Sequence, residues 1–496
     1  MAVTVGASRL GLGAVRRLPA EARPLVRPGT VPAGVVHLGL GAFHRAHQAV
    51  YTEQAIGLAG GDWGIVGVAP RNAALVSTLA AQDNLFSVST LSATDQHTRV
   101  VGSLAEVRLA AADPQAVVAL LADPAIRVVT LTVTEKAYQL DPAAGTLRPD
   151  ADLVADLTTD RPPVTVPGLL VRGLLARAAA DTGPIALVSC DNLPANGRRL
   201  RGLVTQSLAY AGTPQDVVDW VAAQVGFPGT MVDRIVPAST PATLAAARRA
   251  LGVEDLAAVA AEPYTQWVIE DDFPGGRPAW DRAGAVLCAD AGPWERLKLR
   301  ALNGVHSAAA YLGALAGCET IADALALPHL DTVLRRLIAE DVAASFAPPD
   351  GVDVVGYGEQ VLARFGNPAI RHRTLQVALD GSQKLPQRIL HTVADLRAAR
   401  QPARWAALVV AAWIRFAQGS ADDGRPLPLD DPLATRIRAV LAAAPQTPAG
   451  AVDAMLGLDE VVPPEVAADA QVHADVVAWL TDLERHGVRA TLAGAA

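Results

Sequence analysis

Lys298, Asn303 and His306 fall within one short segment, Lys-Leu-Arg-Ala-Leu-Asn-Gly-Val-His. An amine, a carboxamide and an imidazole so close together suit proton transfer at a carbonyl or a secondary alcohol. A desolvated lysine has its pKa drawn down toward neutrality, and it can then give or take a proton at physiological pH. Asn303 can donate a hydrogen bond to a developing alkoxide, and His306 can orient the lysine or a substrate hydroxyl. On an α-helix of about 100° per residue, Asn303 stands roughly 140° and His306 roughly 80° from Lys298. The three polar groups then share one side, while Leu297, Leu299, Leu302 and Val305 fill much of the remainder. A solvated lysine with a capping asparagine and a core histidine is the competing explanation, and the trio by itself does not separate the two.

The elements that must present such groups are sought upstream. Residues 34–38 read as an apolar strand that runs directly into Gly39-Leu40-Gly41-Ala42-Phe43-His44. Strand, glycine turn, then helix is the order of a dinucleotide-binding unit. The glycines permit a tight turn and close backbone approach, and the N–H groups that open the helix can hold a pyrophosphate. Leu38, Gly39, Gly41, Ala42, Phe43 and His44 are therefore the expected cofactor contacts. His44 stands where G-x-G-x-x-G would place its third glycine, so the motif alone also fits an ordinary strand-to-helix turn.

Further short apolar strands are expected at 64–69, 85–91, 128–133 and 185–190, with helical stretches such as 73–81 and 114–121 between several of them. This alternation predicts a mainly parallel sheet, whose ligands sit at the carboxyl ends of its strands. Arg71, Thr134-Glu135-Lys136 and Asp191-Asn192 follow such ends. From about Pro293 the pattern changes to Ala- and Leu-rich segments of helical period, punctuated by Pro348-Pro349-Asp350-Gly351, Gly366-Asn367-Pro368 and Asp422-Asp423-Gly424. The expected fold is α/β: a Rossmann-like domain with a mainly parallel sheet over 1–290, then an all-α domain over 291–496. The Lys298 helix would open the second domain, where a cleft can hold substrate beside the cofactor.

Composition narrows the function classes. The 496 residues carry a formal net charge of −8, which disfavours binding along a phosphate backbone, so nucleic acid is not an expected partner. Mean hydropathy is +0.25, yet no charge-free apolar run reaches the roughly 20 residues that span a bilayer, so no membrane association is expected. The first thirty residues hold several arginines and prolines and no signal-type apolar segment, which points to the cytoplasm. Cys190, Cys288 and Cys318 are too dispersed for a disulfide framework or a thiolate zinc site, and no His-Glu-x-x-His occurs. A metal is not required.

Taken together, the motifs resemble the polyol-specific long-chain dehydrogenase/reductase family. The matching pieces are Gly39 to Gln48, Thr132-Val133-Thr134-Glu135-Lys136, Ser189-Cys190-Asp191-Asn192-Leu193, Met231-Val232-Asp233-Arg234-Ile235-Val236-Pro237, Glu262-Pro263 with Gln266 to Asp271, and Lys298 to His306. They occur in family order over roughly 35–390. The resemblance implies NAD(P)-dependent, metal-independent hydride transfer between a polyol-type secondary alcohol and a ketose. It implies Lys298 as general acid/base, Asn192 and Asn303 as the amides that hold the reacting oxygen, and His306 as a substrate-orienting histidine. Asp233 and Arg234 would line the substrate site or form a structural ion pair. It also implies that monomers are common.

Substrate and cofactor choice rest on two further stretches. Asn367 to Gln376, continuing from Asp380 to Arg388, looks more like the fructuronate reductase (D-mannonate oxidoreductase) branch than the mannitol dehydrogenase branch. The latter would carry an arginine where this chain has Gln376, eight residues before Lys384. A uronate adds a carboxylate, which Lys384 with Arg371, Arg373 or Arg388 can pair; a solvated loop or domain-contact network is the alternative. Arg71, after the second strand, can accommodate the 2′-phosphate of NADP but is compatible with NAD, the favoured cofactor. A polyol dehydrogenase such as mannitol 2-dehydrogenase is the rival enzyme. A binding protein that has lost catalysis is the rival outside enzymes, disfavoured because Lys298, Asn303, His306 and Asn192 are all present.

Overall fold

The computed structural model describes residues 8–141 and 144–496. The chain splits into two compact units, divided between Ala291 and Gly292. The strands of the first unit among the described residues are β1 Ala33–Leu38, β2 Gly64–Ala69, β3 Phe86–Leu91, β4 Gln96–Val101, β5 Leu104–Leu109, β6 Val128–Leu131, β7 Ile185–Ser189, β8 Val225–Gly226, β9 Thr230–Asp233, β10 Val259–Ala261, β11 Gln266–Glu270 and β12 Val286–Cys288.

Six of them form one sheet in the order β5-β2-β1-β6-β7-β8, with every neighbouring pair parallel. Parallel neighbours need long crossovers, and the helices Pro114–Ala122 and Val166–Ala180 lie in those from β5 to β6 and from β6 to β7. Both faces are covered, because successive residues of β1 enter different cores. Val35 packs with Ile65 and Val128, whereas Val36 and Leu38 pack with Val66, Val68, Val129 and Leu131. The strand order reverses at β1, which lies between β2 and β6, and ligands of such sheets bind in the crevice this reversal opens.

The strand expected over 85–91 does not join this sheet. β3 pairs antiparallel with β4 and parallel with β10 in a separate three-stranded sheet. Only four residues link β3 to β4, enough for a hairpin and far too few for a parallel crossover. The place beside β2 goes instead to β5, Leu-Ala-Glu-Val-Arg-Leu, which the hydropathy pattern passes over. As an edge strand it buries little beyond Leu104, so its sequence lacks the continuous apolar run of its neighbours.

The described residues of the second unit contain helices and two isolated bridges, Thr320 with Arg373 and Ser420 with Pro426. Its core is built on Val305–Leu315, in which every residue is buried, and on Arg404–Ala417, in which twelve are. Helices apolar on nearly all sides can only be interior ones. Three stretches are wound as π-helix: Lys298–Gly304, Leu337–Val342 and Pro386–Leu390. The chain around Lys298 is thus helical as expected, but its first turns follow the wider i→i+5 pattern, so the 100° arithmetic does not describe it. Lys298 and Asn303, five residues apart, are related by one such hydrogen-bonded step.

Candidate active site

Gly39 has φ +105°, and a Cβ there would lie 2.1 Å from the carbonyl oxygen of Thr132, so no other residue fits. Its N–H and that of Leu40 donate to Val68 at 2.9 and 3.1 Å, pinning the turn to β2. Gly41 is different. Its φ is −120°, and a Cβ would meet nothing nearer than the oxygen of Gly39 at 3.6 Å. Neither the fold nor the backbone demands glycine at position 41, and the space beside its Cα is open. The helix that follows, Ala42–Ala46, has five residues, so what it can offer is the N–H groups of its first turn, which have no intrahelical partner, more than any helix dipole.

His44 departs from expectation. Its ring has no exposure and stacks on His37 with centroids 3.4 Å apart. Burial, followed by the neighbouring His37, Arg45 and His47, holds it neutral. It fills the space a third glycine would leave, inside the protein, and only its backbone faces the turn. Arg71 is exposed just beyond the carboxyl end of β2.

Beyond β6 the chain makes a tight passage through Thr134, whose φ and ψ are 72° and 157°. A β-branched residue in that region stores about 1–3 kcal/mol of strain. Asp191 holds it there: its carboxylate accepts from the N–H of Val133 at 3.2 Å, the N–H of Thr134 at 2.8 Å and the hydroxyl of Tyr138 at 2.8 Å. Burial is the largest influence on Asp191 and raises its pKa, against these three bonds. Thr134, Glu135 and Lys136 are exposed as a result, and so is Asn192, immediately after Asp191. Asp191 was legible only as a polar residue beyond a strand; its role as organiser of the neighbouring loop depends on the β6–β7 pairing.

Asp233, the last residue of β9, is buried. Arg234 follows it, and its Nε and Nη2 donate to the carbonyl of Glu262 at 3.1 and 3.0 Å while Nη1 donates to that of Ala46. A guanidinium bonded to backbone carbonyls on two segments is a brace between them, and the charge of Glu262 acts on it as well.

In the second unit Lys298, Asn303 and His306 are all buried, with 9, 8 and 8% exposure. A solvated lysine is thereby excluded. The ring of His306 stacks on Phe365 at 4.3 Å and meets His372 edge-on at 4.8 Å. Burial depresses its pKa most, and His372, Arg388, Arg364 and Lys384 depress it further, so the imidazole is neutral at physiological pH. Its Nε2 is buried without a hydrogen-bond partner among the described residues. A buried polar atom left in this way is a place for a ligand to bond.

Arg388 bonds to the same segment as the trio. It donates to Ser307 Oγ at 3.1 Å and to the carbonyl of Asn303 at 3.4 Å, and burial lowers its pKa to about 10. Gly304 makes this approach possible, since a Cβ would lie 2.7 Å from the carbonyl oxygen of Arg388. Lys384, half-buried and 3.8 Å from Asp380, also acts on His306, and its own pKa is lowered by burial and then by Arg388. Arg373 does not join this group: it is exposed, and its backbone pairs with Thr320. His372, its neighbour in sequence, turns inward instead, and the inversion is set by the bridge to Thr320.

Comparison with known proteins identifies the family of the chain. Residues 33–282 match the mannitol dehydrogenase Rossmann domain and residues 290–483 the mannitol dehydrogenase C-terminal domain. The oxidoreductase YdfI of Escherichia coli, itself uncharacterised, is 40% identical over 92% of this chain and 94% of its own length. The D-mannonate oxidoreductase of the same organism is 39% identical over 95% of this chain and 97% of its own. The ternary complex of Pseudomonas fluorescens mannitol 2-dehydrogenase with NAD and D-mannitol superposes with a TM-score of 0.83 at 33% identity, covering 98% of this chain and 99% of that one. The chain belongs to the mannitol dehydrogenase family of oxidoreductases.

Proposed function

We propose that the enzyme interconverts D-fructuronate and D-mannonate. The observation that carries this reading is the set of cations gathered about a neutral His306, namely Arg364, Lys384 and Arg388, beside a buried Lys298. A neutral hexose or hexitol offers such charges no counterpart, whereas a uronate brings one carboxylate for Lys384 and Arg388 to bind. Gln376 in place of the arginine of the mannitol branch points the same way.

Gly39 and Gly41, with the N–H groups of Ala42, Phe43 and His44, are suited to hold a dinucleotide, flanked by Leu38, Arg71 and Thr134 to Lys136. When bound, its nicotinamide supplies or accepts the hydride. In reduction, Lys298 as ammonium donates a proton to the substrate oxygen, and in oxidation its neutral amine removes the hydroxyl proton. Asn192 and Asn303 donate hydrogen bonds to that oxygen as it gains charge. His306 offers Nε2 to a substrate hydroxyl, and Asp233, at the end of β9, lines the substrate site. NAD is favoured over NADP, the family resemblance favours a monomer, the composition favours the cytoplasm, and the proposed chemistry needs no metal. Among the described residues no three His, Cys, Asp or Glu side chains are grouped to hold an ion, and no helix is long and apolar enough to cross a membrane.

One observation favours mannitol and fructose instead: Asp380 stands beside Lys384 and offsets its charge. The deciding experiment follows NADH and NADPH oxidation with D-fructuronate and D-fructose, and the reverse reaction with D-mannonate and D-mannitol, before and after dialysis against EDTA. Strong preference for the uronate pair supports the proposal; preference for fructose and mannitol overturns it, and loss of activity on dialysis overturns the metal-free mechanism.

A further inference from the structure

We infer that His37 and Thr132 are positioning residues for the dinucleotide turn, forming a neutral latch on the carbonyl of Gly39. The inference rests on the reading that this turn holds the dinucleotide. His37 lies on β1 with no exposure. Its Nε2 is 2.9 Å from Thr132 Oγ1 and 3.2 Å from the oxygen of Gly39, and its Nδ1 is 2.8 Å from Thr130 Oγ1. Thr132 Oγ1 in turn donates to the oxygen of Gly39 at 2.9 Å.

One set of protons satisfies every contact. The Thr132 hydroxyl has a single hydrogen, which goes to Gly39, so at His37 it must accept from Nε2–H, whose one hydrogen is shared between Thr132 Oγ1 and the oxygen of Gly39. Nδ1 then carries a lone pair and accepts from the hydroxyl of Thr130. Burial lowers the pKa of His37 to about 3, so the ring keeps this single-proton form at physiological pH. Stacking on His44 fixes the plane of the ring.

The latch matters because of what it grips. Gly39 has a backbone angle that only glycine readily adopts, and glycine by itself is free to leave it. Two donors on its carbonyl stop the following peptide from rotating and so set the direction in which Gly41 and the N–H groups after it are presented. The donors come from β1 and from the residue that follows β6, the strand beside β1 at the reversal of the sheet. No pattern of glycines would reveal this, because the histidine sits two residues before the motif and the threonine more than ninety after it.

The test compares His37→Phe, Thr132→Val, Thr132→Ser and Gly41→Val in the full chain, with thermal melts to establish folding. The readouts are the Kd for NADH by fluorescence titration and the steady-state split between KM for NAD and kcat. His37→Phe keeps the stacked ring and Thr132→Val keeps the shape, but each loses donors to Gly39. Each should raise the Kd by about tenfold, with KM rising more than kcat falls, while Thr132→Ser should restore affinity to within about threefold of wild type. Folded His37→Phe and Thr132→Val proteins that bind NADH as wild type does would overturn the latch, and Thr132→Val decides alone if His37→Phe does not fold. A serine variant as weak as the valine variant would also overturn it. Gly41→Val separates the two levels: unchanged affinity there removes the turn from the dinucleotide site altogether.

Discussion

Two proton-handling groups of unlike character stand within one segment of the second unit. Lys298 changes charge during the proposed reaction, whereas His306 stays neutral, because burial and the cations around it all oppose a second ring proton. Lys298→Ala should lower kcat by about 10²–10⁴-fold, the range for loss of a general acid or base, while the Kd for NADH measured by fluorescence remains near wild type. His306→Phe keeps an aromatic ring against Phe365 and removes Nε2. It should lower kcat/KM by about 10–100-fold, the cost of leaving a buried substrate hydroxyl unbonded. The shape of its pH–rate profile should match that of the wild type, since a histidine that does not titrate contributes no limb; a lost limb would show that His306 is the titrating group.

At the scale of elements, the π-helical winding of Lys298–Gly304 and of Pro386–Leu390 decides how the site is made. Gly304 lets the second segment come within contact of the first, and Arg388 uses that proximity to bond Ser307 and the carbonyl of Asn303. Gly304→Ala places a methyl group 2.7 Å from the carbonyl oxygen of Arg388, a backbone atom that a rotamer change cannot move. Displacement of one segment should cost about 1–3 kcal/mol, as overpacking does elsewhere. It should appear as a lower melting temperature by calorimetry and as a loss of kcat at saturating cofactor. A variant with the wild-type melting temperature and kcat would show that the two segments have room to spare. In the first unit the corresponding device is the Asp191 carboxylate, which holds the strained Thr134 loop and sits next to Asn192 in sequence.

For the whole molecule, buried carboxyls set part of the response to pH. Glu53 is fully buried, accepts from the N–H of Gly102 at 2.8 Å, and has its pKa raised by burial from 4.5 to about 7. The folded protein therefore holds a proton that the unfolded chain releases above about pH 4.5. Its stabilising effect is fully present below the unfolded pKa and is lost as pH rises through about 7, with a full amplitude of about 3 kcal/mol. Glu53→Gln cannot titrate. Chemical denaturation from pH 4.5 to 8 should show wild-type stability falling relative to the variant by that order; parallel curves would mean that Glu53 is ionised in the folded state throughout.

Local rules reach some features of this protein and stop at others. The apolar strands, the glycine turn, the change to helical period near residue 293 and the family of the chain all follow from patterns within a few residues, because strand and helix periodicity and the steric freedom of glycine are local properties. Burial of Lys298, Asn303 and His306 together was left open by the sequence, which fits a solvated lysine equally well, and was decided by the packing of the second unit. Which strand lies beside which was decided by the tertiary structure, as β5 shows by taking the place beside β2 in the parallel sheet that β3 was expected to join. The same holds for the inward turn of His372 against the outward Arg373, for Arg234 as a brace, and for the His37–Thr132 contact. Each depends on backbone groups dozens to nearly two hundred residues away, and hydrogen bonds between such distant partners are specified only once the strands and helices that carry them have packed.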